Sequence, residues 1–449
     1  MNRKEFLHLT TAATGGFFFG GATESAESKG VKEKDTKRRE LVTEEYILIN
    51  ARLEEYFIYN EKGQVKATQT GLYDLHIKAG KIVSITRAIG SVYVLPRWDA
   101  KGKLLLPGLR DMHVHIDKTF YGEPWNAEPL GAKTVKDMIA LERRILPDLL
   151  LHSTEKAEMA IDLMNSKGTY FARCQTNIEP TSGLKSLENL QKALANKKEA
   201  IQTEIVAFPQ HGILYSDAEG ILREAAQMGV DYIGGLDPTT VDGDMKKSLD
   251  VMFQIALDYD KGIDIHLHEG KATGLPAIEY MIAKVRENKA LQGKTFISHG
   301  FALGQLEVKE TEAIGEQLAE VGIGIISTVP LGKLNMPLPM LYKHQVQLMT
   351  GTDSIIDHWS PFGSCDMLEK AKLTAELYGW RDEFTLSRAL QIATKNQLLP
   401  LNAEGKQVWP LVGDEASFIL VEASCSAEAV ARIPVREAVF NRGKLVYFV

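Results

Sequence analysis

Two histidines one residue apart, His113-Val114-His115, close an apolar run that begins at Leu104 (LLLPGLRDM). In a strand, side chains alternate across the backbone, so both imidazoles project to the same side. Two converging imidazoles are half of a metal site. Three further segments end on metal-compatible groups. Ile263-Asp264-Ile265-His266-Leu267-His268-Glu269 carries two histidines and a carboxylate able to take a proton from water and pass it on. Period-two alternation places His266 and His268 on one side, so spacing leaves both open as ligands. Phe296-Ile297-Ser298-His299-Gly300 carries one imidazole, suited to ligation or to polarising a bond under attack. Leu348-Met349-Thr350-Gly351-Thr352-Asp353 ends on a carboxylate that suits direct ligation or action as a base. Histidines with one carboxylate favour Zn2+ or Fe2+ over magnesium, which prefers all-oxygen sites. An open position at such an ion brings the pKa of water toward neutrality, which is hydrolytic chemistry.

These groups meet only if the ends of their strands converge. Apolar runs of strand length begin near Leu104, Tyr170, Thr203, Asp231, Gly262, Thr295, Gly322 and Gln345. Helical periodicity fills the intervals, as over 245–259 and 311–321. Gly168, Gly229, Gly262 and Gly322 follow helix ends and are expected to supply left-handed caps. Eight strand–helix units in about 270 residues match an α/β fold of the (β/α)8 TIM-barrel type, whose active sites lie at the C-terminal strand ends. The alternative, a doubly wound open sheet, usually has a Gly-rich phosphate turn after its first strand; here Asp111-Met112-His113-Val114-His115 stands in its place. Both flanks alternate as short strands. Ile77-Lys78-Ala79-Gly80-Lys81-Ile82-Val83 and Phe440-Asn441-Arg442-Gly443-Lys444-Leu445-Val446 are similar hairpins with Gly-Lys at the turn. Segments 46–103 and 400–449 are therefore expected to form a small β-sandwich domain, and 104–399 the barrel.

The 449 residues carry 52 basic and 59 acidic side chains, a net charge of −7. No basic field is available for nucleic acid or an anionic membrane. Cys174, Cys365 and Cys425 lie far apart, which excludes a thiolate zinc cage and a disulfide framework. The first 30 residues read as a separate segment. Asn2-Arg3-Lys4-Glu5-Phe6-Leu7 precedes a mild apolar, Gly-rich stretch from Thr10 to Ala22 and then a polar linker over 31–45. The pattern resembles a twin-arginine export signal with Lys4 at the second arginine, and is too short for a membrane span. A periplasmic enzyme is the expectation, a cytoplasmic one with an unstructured tail the alternative.

The strand-by-strand pattern resembles the amidohydrolase superfamily. Leu106-Pro107-Gly108-Leu109-Arg110-Asp111-Met112-His113-Val114-His115-Ile116-Asp117-Lys118-Thr119 is similar to the first-strand motif of its cytosine deaminase branch. Ile205-Val206-Ala207-Phe208-Pro209-Gln210 with Gly212-Ile213-Leu214 is close to a cytosine deaminase segment. Gly234-Gly235-Leu236-Asp237-Pro238, and Ser360-Pro361-Phe362-Gly363 with Asp366-Met367, resemble N-isopropylammelide amidohydrolase of the same branch. The likeness runs over 46–449. It implies one metal ion on His113, His115, His266 and Asp353, which selects His266 over His268. It implies Glu269 as proton shuttle, His299 as the group that orients or polarises substrate, and Gln210, Ser354 and Trp359 as substrate-contacting positions. Several residues depart from the branch. Ser354 replaces a second aspartate, Arg173-Cys174-Gln175-Thr176-Asn177 replaces Arg-Thr-His-Val-Asp, and His211 replaces a glutamate after Gln210. At Glu269 the chain sides with cytosine deaminase, since the ammelide enzyme has aspartate there.

The expectation is a hydrolase of non-peptide C–N bonds that deaminates a small N-heterocyclic, cytosine-like substrate. An amidase or N-dealkylating hydrolase on the same scaffold is one alternative, a non-catalytic metal- or solute-binding barrel another. A homo-oligomer is compatible with either. Cell fractionation tests the N-terminal reading: an exported chain is recovered from the periplasm, shortened past Ala22, and a cytoplasmic one at full length.

Overall fold

The structure, a computed structural model, describes residues 44–90, 93–127, 134–332 and 334–449. The expected export segment (1–30) and all but the last two residues of the polar linker (31–45) lie outside the described residues.

The N-terminal flank forms β1 (Glu45–Tyr59), β2 (Val65–Lys78), β3 (Lys81–Arg87) and β4 (Arg97–Asp99), followed by β5 (Leu104–Pro107). The barrel strands are β6 (Leu109–His115), β7 (Thr169–Asn177), β8 (Gln202–Phe208), β9 (Tyr232–Leu236), β10 (Gly262–Leu267), β11 (Thr295–His299), β12 (Ile323–Ser327), β13 (Leu348–Thr350) and β14 (Asp353–Ser354). The C-terminal flank forms β15 (Phe418–Val421), β16 (Arg436–Asn441) and β17 (Lys444–Phe448).

Both ends of the chain meet in one mixed sheet, ordered β17-β16-β15-β5-β1-β2-β3, with β4 beside β1. The two look-alike hairpins turn identically. Ala79 (φ 47°) with Gly80 (φ 75°), and Arg442 (φ 47°) with Gly443 (φ 74°), give the left-handed pairs that match strand twist in two-residue turns. The turns also pack together: a Cβ on Gly443 would lie 3.3 Å from the Cα of Gly80. Tyr46, Leu48, Leu75, Phe418 and Phe440 are buried beneath them, with Phe418 and Phe440 stacked at 4.5 Å.

The nine segments β6–β14 form the second sheet, parallel throughout in its pairings. Helices fill the intervals: α1 (Val135–Leu149), α2 (Ser153–Ser166), α3 (Lys185–Asn196), α4 (Glu219–Ala226), α5 (Met245–Asp258), α6 (Lys271–Glu287), α7 (Val308–Val321), α8 (Leu338–Lys343) and α9 (Met367–Leu377). Such strand–helix alternation in one curled sheet is the TIM-barrel architecture. β13 and β14 are halves of the eighth strand. The first half pairs with β12 and the second with β6, which closes the barrel.

Two expectations need correction. The run from Leu104 is not one barrel strand. Leu104–Pro107 pairs with β15 and β1 in the chain-end sheet, and the barrel starts at Leu109. Gly108 marks the change, because any Cβ there would lie 2.5 Å from the Tyr170 ring. Gly168, Gly229 and Gly322 do take left-handed φ, but after α5 that conformation falls to Asp260 (φ 50°), not Gly262. Gly262 is needed for close approach instead: its Cβ would meet Tyr232 at 2.5 Å.

Gly351, between the two halves of the eighth strand, presses directly on the first. An added Cβ would sit 2.4 Å from the carbonyl oxygen of His113. Gly351→Ala must push the strands apart, and we expect a loss of about 1–3 kcal/mol in denaturant unfolding. An unchanged midpoint would show that closure is not this tight.

Candidate metal and catalytic site

His113 and His115 point together at the mouth of the barrel, as alternation on β6 requires. Their Nε2 atoms lie 3.5 and 3.6 Å from Asp353 Oδ1 on β14. His115 Nε2 is 3.2 Å from His266 Nε2, and the His266 ring stacks on Phe208 at 3.8 Å. Candidate ligand atoms of His113, His266 and His299 lie within 4.8 Å of one another, as do those of His113, His115 and Asp353. The two groups share His113, so five side chains from four strands surround one point. His299 (φ 66°) and Asp353 (φ 71°) both hold left-handed backbone. That conformation is uncommon for side chains other than glycine and collects at functional sites.

Burial holds the imidazoles of His115, His266 and His299 well below their usual pKa, and neighbouring imidazoles add to this, together with Lys118 at His115. They are neutral, as ligation requires. Burial opposes ionisation of Asp353. The close approach of His113, then of His299 and His115, outweighs burial and holds the carboxyl well below its usual range. Among the described residues, His113 Nε2 and both nitrogens of His299 are buried without a hydrogen-bond partner. Orphaned imidazole nitrogens around an ionised carboxylate fit a divalent cation, and the donor set is one that zinc or ferrous iron accepts.

A hydrogen-bond chain decides which nitrogen of His113 is free. Ser298 Oγ donates to Asp264 Oδ1 at 2.6 Å, and Asp264 Oδ2 accepts from Arg173 Nη1 at 3.0 Å. The hydroxyl proton is thus committed, so His113 Nδ1–H donates to Ser298 Oγ at 2.8 Å and leaves Nε2 with its lone pair. The Gln175 amide lies 3.3 Å from the same Nδ1.

Glu269 follows β10. Its Oε1 accepts the backbone N–H groups of Thr239 and Thr240 at 2.8 and 2.7 Å, while Oε2 is buried with no hydrogen-bond partner among the described residues. His268 is committed elsewhere: its backbone N–H and Nδ1 both face Asp237, at 2.6 and 3.0 Å. It belongs to neither candidate ligand group among the described residues.

A cavity of about 160 Å³ opens beside the cluster, lined by His115, His266 and Asp353 and also by Gln210, Ser354 and Trp359. All three expected substrate positions therefore reach its wall. Lys118, Asp357 and Ser360 line it as well, with no role expected from the sequence. Nor is a role expected for Glu142, fully buried on α1, which accepts from Lys118, His358 and Trp359. A signal existed. The buried stripe of α1 runs Ile139, Glu142, Leu146, and a glutamate in an apolar stripe needs a buried partner. His211 sits between Glu142 (3.4 Å) and Glu179 (3.0 Å). Burial lowers its pKa, but those two carboxylates more than reverse this.

Removing Ser298 unties His113 without touching a ligand. We expect Ser298→Ala to weaken metal affinity about 10- to 100-fold, and Asp353→Ala to weaken it further, both read by elemental analysis after dialysis against graded chelator. Full metal retention in both variants would overturn this assignment of the site.

Comparison with known proteins agrees with this geometry. Residues 153–447 match the model of the amidohydrolase family. The chain is 50% identical to the uncharacterized protein YahJ of Escherichia coli (strain K12) over 99% of its length and 98% of that protein. It is 26% identical to N-isopropylammelide isopropyl amidohydrolase of Pseudomonas sp. (strain ADP), over 84% of this chain and 93% of that one. Among solved structures, N-isopropylammelide isopropylaminohydrolase of Burkholderia multivorans superposes with a TM-score of 0.78 at 28% identity, covering 90% of this chain and 98% of that one. The 5-methylcytosine deaminase of Klebsiella pneumoniae shares the fold, with a TM-score of 0.74 at 22% identity over 90% of this chain and 97% of that one. Barrel, chain-end sheet and histidine-rich mouth, with a family match over most of the chain, make this protein a member of the amidohydrolase family.

Proposed function

We propose that this enzyme hydrolyses the bond between a ring carbon and an exocyclic nitrogen of a small N-heterocycle, most concretely a deamination of the cytosine type. One observation carries the reading. Glu269 is anchored through Oε1 by two backbone N–H groups, while Oε2 stays buried and, among the described residues, without a hydrogen-bond partner. A carboxylate held in this way has a fixed position and a free basic oxygen, which proton transfer needs and binding alone does not.

We assign His113, His115, His266 and Asp353 to one divalent ion, zinc or ferrous iron. The chemistry such an ion supplies when bound is Lewis acidity, which makes water a nucleophile near neutral pH. The residues do the rest. Glu269 Oε2 takes a proton from the attacking water and delivers it to the ring nitrogen beside the attacked carbon. A C–O bond forms there. The C–N bond to the exocyclic group then breaks as the new hydroxyl becomes a carbonyl, and the nitrogen leaves as an amine with that hydroxyl's proton relayed through Glu269. His299, with both nitrogens unpartnered, orients the attacked carbon. Gln210, Ser354 and Trp359 hold the ring. The cavity of about 160 Å³ lies below the ~300–1,000 Å³ of drug-sized pockets and suits a single ring.

The Pseudomonas and Burkholderia relatives, both named for removal of an isopropylamino group, support a second reading. The bond broken is the same kind, and only the leaving amine differs: an alkylamine in place of ammonia. Metal-reconstituted enzyme should be screened against aminated and N-alkylaminated pyrimidines and triazines, with ammonia and alkylamine measured separately. Ammonia release supports deamination, alkylamine release the second reading, and neither would sink both. Glu269→Gln is expected to lose about 10²–10⁴-fold in kcat with metal content unchanged; wild-type turnover by that variant would remove Glu269 from the mechanism.

A further inference from the structure

We propose that Lys118 is a positioning residue that fixes the polarity of the cavity wall: it holds the Gln210 oxygen inward, so that the amide N–H groups face the ligand and select rings presenting a hydrogen-bond acceptor at that edge. The inference rests on the cavity being the ring site, as proposed above.

Lys118 follows the His113–His115 pair and is only 1% exposed. Its Nζ meets three acceptors: Gln210 Oε1 at 2.6 Å, Asn177 Oδ1 at 3.0 Å and Glu142 Oε2 at 3.3 Å. An ammonium has three N–H bonds and no lone pair. All three donors are used within the protein, so none remains for a ligand. Lys118 lines the cavity yet is not an anion-binding group.

Its effect passes through Gln210. A side-chain amide has an accepting end and a donating end, and a donor-only ammonium tolerates only the accepting end. The Gln210 NH2 must therefore point away from Lys118. No protein acceptor meets it among the described residues, and Gln210 lines the cavity. The wall there donates. A ring carbonyl oxygen or an unprotonated ring nitrogen satisfies it, whereas an amino group sets donor against donor.

The arrangement is braced from behind. Burial opposes charge on Lys118, but Glu142, Asp117 and Asp357 outweigh it and the ammonium persists. Glu142 also accepts from His358 Nε2 at 2.7 Å and Trp359 Nε1 at 2.6 Å. Asn177 accepts from Lys118 through its oxygen and donates to Glu142 through its nitrogen, so its own amide has a single permitted orientation too. The donating edge from Gln210 and the aromatic wall from Trp359 are thus set by the same buried pair.

The test is titration calorimetry of the metal-loaded full-length protein with 4-pyridone and aniline, single neutral rings that present at one edge a carbonyl or an amino group flanked only by C–H. Wild type should bind the carbonyl ring at least ~10-fold tighter, about the worth of one hydrogen bond. Lys118→Met frees Gln210 to rotate, and the ratio should fall to within ~3-fold at unchanged metal content. Gln210→Glu, which keeps its shape and its pairing with Lys118, covers the event that Lys118→Met does not fold. It replaces the donor by an acceptor and should reverse the preference. A wild-type ratio near one, or an unchanged ratio in either folded variant, overturns the inference. The hydrolase reading is judged apart from this, by amine release: turnover without edge preference leaves that reading standing, and edge preference without turnover leaves only this one.

Discussion

Closure of the barrel at the broken eighth strand is the constraint on which the rest of the site depends. Its first half pairs with β12 and its second with β6, and Gly351 between them lies against the backbone of His113. The chain then passes through Asp353 in left-handed conformation, which brings the carboxylate to the Nε2 atoms of His113 and His115. Backbone strain of this kind costs about 1–3 kcal/mol and persists only where the surroundings over-determine it. Here the surroundings are a closed parallel sheet packed on helices, with an apolar core that includes Val114, Ile265, Ile297, Ile325 and Leu348.

Two buried polar networks meet at this closure and divide the work. Beneath the histidines, Arg173, Asp264 and Ser298 run down the barrel axis side and fix the tautomer of His113. Beside the cavity, Glu142, Lys118 and Asn177 set the orientation of Gln210 and Trp359. Buried charges are costly unless paired, and removing one partner costs more than the pair contributes. Each network is therefore stiff as a unit. Stiffness is what the proposed chemistry needs, because a hydrogen bond that is slightly misplaced loses much of its worth in a transition state.

The residues that depart from the cytosine deaminase branch fall into these networks and not into the ligand cluster. Gln175 touches the outer nitrogen of His113, Asn177 bridges Lys118 and Glu142, and His211 is held between Glu142 and Glu179. Ser354 pairs with the His115 backbone and lines the cavity. The metal-compatible cluster and the polar networks around the cavity are thus built from different residues.

Much of this was legible in the chain itself. Period-two and helical periodicity located the eight barrel strands within a few residues, because alternation of burial is a local property of strands and helices. The same alternation placed His113 and His115 on one side, and the chain-end hairpins were readable from their Gly-Lys turns. Other features were not local. Leu104–Pro107 has a strand pattern that suits either sheet, and only its pairing with β15 assigned it to the chain-end one. His266 and His268 are equivalent by spacing, and their difference lies in Asp237, which comes from the neighbouring strand and holds His268. Glu142 is remote in sequence from every residue it organises. Periodicity determined which side chains share a face; register between distant strands, and the need of each buried charge for a partner, decided which of them touch.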